Sequence, residues 1–167
     1  MKKIGIFYGS STGTTEDIAQ RIADKLGVQQ GDIHNVGDAD VQAVTPYDVL
    51  ILGTSTWGVG DLQDDWEDFL PKLKKQDLSG KAVAFFGTGD CSSFSDSFCD
   101  AMGALYTGLQ QAGCSFCGAF SVDGYSYDDS TAVVDGQWVG LAIDEINESF
   151  LTDSRIAQWA EELSKAL

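Results

Sequence analysis

IGIFYGSSTGTTE, residues 4–16, decides the fold. Its first half belongs to an apolar run, residues 3–8, that reads as a buried strand. From Thr14 the spacing becomes helical, with Ile18, Ile22 and Leu26 along one face and Gly27 as the stop. A strand that turns into a helix through a Ser/Thr/Gly loop is the first half of a βαβ unit. The loop GSSTGTT holds five hydroxyls and two glycines and no lysine or arginine. Amide N–H groups at a helix start face outward at the positive end of the helix dipole. Ser10, Thr12, Thr14 and Thr15 can add hydroxyl donors, and Gly13 permits close approach, so the loop suits a phosphate. It is neither a P-loop nor GxGxxG. An ordinary capped helix uses the same residue types, so the loop alone leaves both readings open.

The same alternation continues along the chain. A second strand is expected near Ile33–Val36 and a third at 48–53 (DVLILG). An acidic helix at 63–75 follows, with Trp66, Phe69, Leu70 and Leu73 as its buried stripe. Residues 81–87 (KAVAFFG) read as a fourth strand buried on both faces. A helix is expected over 95–112 and a fifth strand from Cys114. The polar, aromatic stretch 121–138 interrupts that strand, and VGLAI at 139–143 resumes it. A helix over 153–167 closes the chain with Ile156, Trp159, Leu163 and Leu167 facing inward. With no linker or repeat, residues 1–167 read as a single α/β domain with a parallel sheet.

The 26 acids against 10 bases give a formal charge of −16, which disfavours nucleic acid and anionic membrane and favours basic partners. No base lies between Lys25 and Lys72, or between Lys81 and Arg155. The basic start has no long apolar run behind it, so a cytoplasmic protein is expected. Cys91, Cys99, Cys114 and Cys117 then read as free thiols. The CxxC at 114–117 has no second pair and His34 is the only histidine, so no metal site is expected.

In open parallel sheets, ligands sit beyond the carboxyl ends of the strands. The loop after the third strand, TSTWGVGD (54–61), offers the flat face of Trp57. The loop after the fourth, GTGDCSSFSDSF (87–98), offers Phe94. Taken singly, each aromatic reads as packing. A phosphate loop and two loop aromatics together describe a phosphorylated ligand with a flat ring system.

These residues resemble a flavodoxin. The resemblance rests on GSSTGTTE (9–16), LGTSTWGVGDLQDDW (52–66), FFGTGD (85–90) and DGQWVGLAIDEIN (135–147), and it covers essentially the whole chain. It implies a flavodoxin-like three-layer sandwich with a five-stranded parallel sheet of order 2-1-3-4-5. The fifth strand is interrupted by the insertion that marks long-chain members. The resemblance also implies FMN as cofactor. Ser10, Ser11, Thr12, Gly13, Thr14 and Thr15 would hold its phosphate. Thr56, Trp57 and Gly58 would line one face of the ring, and Ser55, Val59 and Gly60 would also contact the cofactor. Thr88, Gly89 and Asp90 would contact the ring edge, with Phe94 over the other face. Ser97, Phe98, Cys99 and Asp100 would lie near the site, and Asp144 near the ribityl chain. Phe94 stands where tyrosine is usual, Ser55 where proline is frequent, and Ser97 where asparagine is frequent.

The function implied is a low-potential one-electron carrier without a substrate or catalytic residue of its own, expected as a monomer. Its implied partners are basic-surfaced redox proteins. These include a flavodoxin/ferredoxin-NADP reductase and acceptors such as nitrogenase or radical enzymes. In the family the peptide after the position of Gly58 can flip, so that its carbonyl meets a flavin nitrogen after one-electron reduction. Glycine makes such a flip inexpensive. The alternative is an NAD(P)H-dependent quinone or FMN reductase, which usually needs a basic group for the pyridine nucleotide. A receiver-type signalling domain would need clustered acids after the first strand and a lysine after the fifth; neither is present.

Overall fold

The computed structural model describes residues 2–167. In chain order it forms β1 (Ile4–Gly9), α1 (Thr14–Leu26), β2 (Ile33–Asn35), β3 (Val49–Trp57), β4 (Asp61–Leu62) and α2 (Asp64–Leu73). Next come β5 (Ala82–Thr88), α3 (Asp100–Gly108), β6 (Ser115–Phe116), β7 (Phe120–Ser121), β8 (Val133–Val134), β9 (Gln137–Trp138), β10 (Leu141–Ile143) and α4 (Ser149–Ala166).

The main sheet runs β2-β1-β3-β5-β10, parallel throughout. Counting only these strands, the order is the expected 2-1-3-4-5. Ile33, Ile6, Ile51 and Ala84 lie in one row across four strands. The fifth place is shared. β6 pairs with the start of β5 (Ala82 with Ser115, Val83 with Phe116), and β10 pairs with its end (Phe86 with Leu141). Between the two, the chain leaves the sheet for the insertion.

The sheet order places the helices. From β1 the chain crosses one way to β2, and from β3 it crosses the other way to β5. Right-handed crossovers therefore put α1 and α2 on opposite faces. α4 packs beside α1, and α3 packs on β3 and β5. Both faces of the central strands are covered. Val49 to Leu52 of β3 and Val83 to Phe86 of β5 are fully buried, as are Trp66, Trp138 and Trp159.

Several elements differ from the sequence expectation: α3 ends at Gly108 rather than 112, and the last strand resumes at Leu141 rather than 139. β3 continues through Trp57 and folds back as the hairpin β3–β4, so 54–57 is strand rather than loop. α3 begins at Asp100 rather than 95, because 94–99 form successive turns that end with Cys99 in a left-handed conformation (φ 57°). α4 begins at Ser149, four residues before the expected start. The excursion 121–138 is not wholly irregular, since β7, β9 and β8 make a small antiparallel sheet. Trp138 lies in an aromatic cluster with Phe98, Tyr125 and Tyr127, with ring centroids 4.9–5.5 Å away.

Candidate functional site

The carboxyl ends of β1, β3, β5 and β10 meet at one edge of the sheet, where the order reverses between β1 and β3. Gly13 caps α1 with φ 93°, a value that favours glycine, and Thr14 begins the helix. The N–H of Gly13 donates to Ser10 Oγ at 3.0 Å. The N–H groups of Ser11, Thr12, Thr14, Thr15 and Glu16 have no protein acceptor among the described residues. Ser11, Thr12 and Gly13 are exposed, and Ser10 and Thr14 are half-buried. Thr15 differs, because its buried hydroxyl shares a 3.1 Å hydrogen bond with Thr88. Its open group is therefore the amide.

The hairpin β3–β4 carries the second set. Gly58 (φ 52°) and Gly60 (φ 94°) flank Val59 at the turn, a backbone that glycine adopts without strain. Trp57 is 41% exposed although it ends a strand, and its indole N–H donates to Ser55 Oγ at 2.9 Å. Val59 is 81% exposed. Thr56 Oγ1 accepts the Ala101 N–H at 3.2 Å, which fastens the hairpin to the start of α3.

The third set follows β5. Phe94 is 41% exposed, not the core residue that its place near a helix start suggested. Asp90 Oδ1 accepts from the N–H groups of Ser92 and Ser93 and from Asn147 Nδ2. The Ser93 N–H leads in holding the Asp90 carboxyl below the usual range, against a smaller opposing effect of burial. Gly89 donates its N–H to the Ile143 carbonyl at 3.0 Å. Asp100 accepts the Thr131 N–H at 2.8 Å, tying the loop to the insertion.

Three expected site residues turn their side chains inward. Phe98 and Cys99 are buried, and burial pushes the Cys99 thiol well above its usual range. Asp144 is fully buried, with both carboxylate oxygens taken by protein donors. Oδ2 accepts from the Cys91 N–H and Asn147 Nδ2, and Oδ1 from the N–H groups of Ile146 and Asn147. Burial opposes its ionisation, but these bonds and one from the Cys91 thiol prevail and hold its pKa below the ordinary value. Asp144 is thus a clasp between the β5 and β10 loops. Ser97 is also nearly enclosed, with its N–H on the Phe94 carbonyl at 3.2 Å.

The surroundings are acidic. Arg21, on α1, is committed to Asp17, Glu145 and Asp153. Arg155 is buried against Glu148, donates to the Gly124 carbonyl at 3.0 Å, and stacks 3.8 Å above the Tyr125 ring. Tyr8 donates to Glu16 at 2.8 Å beside the first loop, and burial followed by that contact pushes its pKa up to about 12.

Sequence reasoning missed two residues that organise this edge. Gln63 reaches Ser11 Oγ at 3.1 Å, and Asn147 bridges Asp90 and Asp144. Both fall within segments quoted for the resemblance, but neither has a side-chain type or spacing that announces chemistry. The unpaired amides at the first loop and the two half-exposed aromatics fit the phosphate and the flat ring of a flavin mononucleotide.

Comparison with known proteins places these observations. The flavodoxin family model matches residues 6–159. A flavodoxin of Nostoc sp. is 46% identical over 162 residues, 97% of this chain and 95% of that protein. Flavodoxin 1 of Azotobacter vinelandii is 44% identical over 163 residues, 95% of this chain and 94% of its own. The solved structure of Fusobacterium nucleatum flavodoxin bound to flavin mononucleotide superposes with a TM-score of 0.91 at 36% identity, covering 100% of this chain and 99% of that one. Agreement of this extent, over the whole fold and its loops, means that the chain belongs to the flavodoxin family of electron-transfer flavoproteins, which are carriers rather than enzymes.

Proposed function

We propose that residues 1–167 act as one FMN-binding domain, a cytoplasmic monomer that shuttles electrons singly and at low potential between a basic reductase and basic acceptor enzymes. The observation that carries this reading is a first loop rich in unpaired amides and free of bases, beside two half-exposed aromatics. FMN, when bound, supplies the redox chemistry by taking up and releasing electrons one at a time. The protein's residues hold it and set its surroundings.

The amides of Ser11, Thr12, Thr14 and Thr15, with the Ser10, Ser11, Thr12 and Thr14 hydroxyls, bind the phosphate without neutralising it. Trp57 would cover one face of the ring and Phe94 the other, and both would exclude water. Gly58 and Gly60 give the intervening backbone freedom to turn a carbonyl or an N–H toward the ring edge. Thr88, Gly89 and Asp90 border that edge, while Asp100 and Asp144 hold the loops that carry these contacts.

No base stands free among these loops, so the acids oppose the negative charge of a fully reduced flavin. One acid at about 10 Å, at an effective dielectric of ~20–80, contributes roughly 0.4–1.7 kcal/mol. That is about 20–70 mV for one electron. The charge of −16 also repels a second copy and attracts basic partners. No helix among the described residues is long and apolar enough to cross a membrane.

Stepwise reduction of the purified protein, followed by absorption, tests the reading. It expects a flavin spectrum, two separated one-electron steps, and an oxidised flavin after incubation with NADPH alone. Reduction by NADPH alone would favour the quinone or FMN reductase reading instead.

A further inference from the structure

Gln63 is buried to 2% exposure between the first loop and the Trp57 hairpin, and its polar groups span both. Its Nε2 donates to Ser11 Oγ at 3.1 Å and to Asp65 Oδ2 at 2.9 Å, which uses both amide protons. Its Oε1 accepts the Asp65 N–H at 3.0 Å and so caps α2. Its own N–H, directly after β4, leans on Thr54 Oγ1 in β3 at 3.4 Å. The side chain packs against Gly9. A Cβ at that position would overlap Gln63 Oε1 and lie 2.7 Å from the Trp66 ring.

The direction of the Gln63–Ser11 bond matters. An amide nitrogen donates and never accepts, so the Ser11 oxygen receives a proton and its own proton is left for another acceptor. No protein acceptor takes it among the described residues. Ser11 is exposed in the loop where five amides are also unpaired, so that proton is available to an anion in the same cradle.

We infer that Gln63 is a positioning residue. It sets the Ser11 hydroxyl as a donor to the flavin phosphate and links the phosphate loop to the hairpin that carries Trp57. An occupied phosphate loop then favours the hairpin arrangement that receives the ring, and a bound ring favours the phosphate loop, by the same factor. This inference rests on the FMN reading above. Thr15–Thr88 is a separate link from the first loop to β5 in which Gln63 takes no part.

The test uses the full-length chain as wild type, Gln63→Met, Gln63→Glu, Ser11→Ala and Gln63→Met/Ser11→Ala. Dissociation constants are measured for FMN, and for riboflavin with and without saturating inorganic phosphate. Losing the donor in Ser11→Ala, or its orientation in the Gln63 variants, is expected to weaken FMN about tenfold. Riboflavin without phosphate should change less than twofold. Inorganic phosphate should tighten riboflavin in the wild type and not in Gln63→Met. The double variant should be no weaker for FMN than the worse single variant. In the FMN-loaded proteins, the phosphorus NMR signal of the cofactor should move in Gln63→Met. Gln63→Glu keeps the length and loses the N–H donors, so it carries the test if the methionine variant fails to fold. Equal weakening of FMN and riboflavin would reduce Gln63 to packing and overturn the inference. So would a multiplicative loss in the double variant, or a wild type indifferent to phosphate. A wild type that binds neither flavin would instead overturn the FMN reading, and this inference with it.

Discussion

Thr15 and Thr88, 73 positions apart in sequence, share a buried 3.1 Å hydrogen bond between their hydroxyls. It joins the start of α1 to the end of β5, and so one side of the site to another. Changing either residue to valine leaves the other hydroxyl buried without a partner, at about 1–3 kcal/mol. Changing both should cost less than the sum of the two. Chemical denaturation of the two single variants and the double variant measures this, and additive losses would count against the link.

Thr12→Lys places a positive charge in the exposed part of the first loop. The more negative reduction potential of the bound flavin should rise by about 20–70 mV at low salt, on the Coulomb estimate for one charge. Potentiometry at two ionic strengths is the check. An unchanged potential at low salt would leave the loop as an anchor only.

Electron exchange with a ferredoxin-NADP reductase should slow as salt rises from about 0.01 to 0.1 M, where the screening length falls from ~30 to ~10 Å. The exposed Val59 tip should matter in another way. Val59→Ser should weaken docking while leaving the salt slope unchanged, since no charge is altered. Stopped-flow rates over a salt series separate the two effects.

Asp144 gives the pH prediction. Its folded pKa lies below its ordinary value of 3.8, so it contributes stability that is present above that pH. The contribution is lost as pH falls through the lower folded value. Asp144→Asn turns amide protons toward amide protons, and at neutral pH it should destabilise by about 1–3 kcal/mol. The gap between wild type and variant should narrow below about pH 4, as measured by denaturation at several pH values.

Much of the fold was legible because it rests on local periodicity. The change of spacing at Thr14 and the stop at Gly27 define α1, and the apolar runs give β1, β3 and β5. The order of the strands was legible only through the resemblance. What escaped depends on partners distant in sequence. Nothing near Asp144 shows that it meets Cys91, 53 residues away, and turns inward. Residues 94–99 have a composition compatible with helix, but bonds such as those from Asp128 and Asp129 to the Ser95 carbonyl hold them in turns. Gln63 and Asn147 escaped for the same reason, since their amides act through long-range geometry.

The shared fifth position of the sheet bears on synthesis. The residues of β6 are made before the insertion, whereas those of β10 and of the Asp144 clasp come only after the whole insertion. A chain still on the ribosome and shorter than about 147 residues has residues 9–15, Trp57 and Phe94, but lacks the Asn147 amide that holds Asp90. Tight cofactor loading is therefore expected only of chains that have completed the insertion, which FMN binding by chains truncated before and after residue 147 would check.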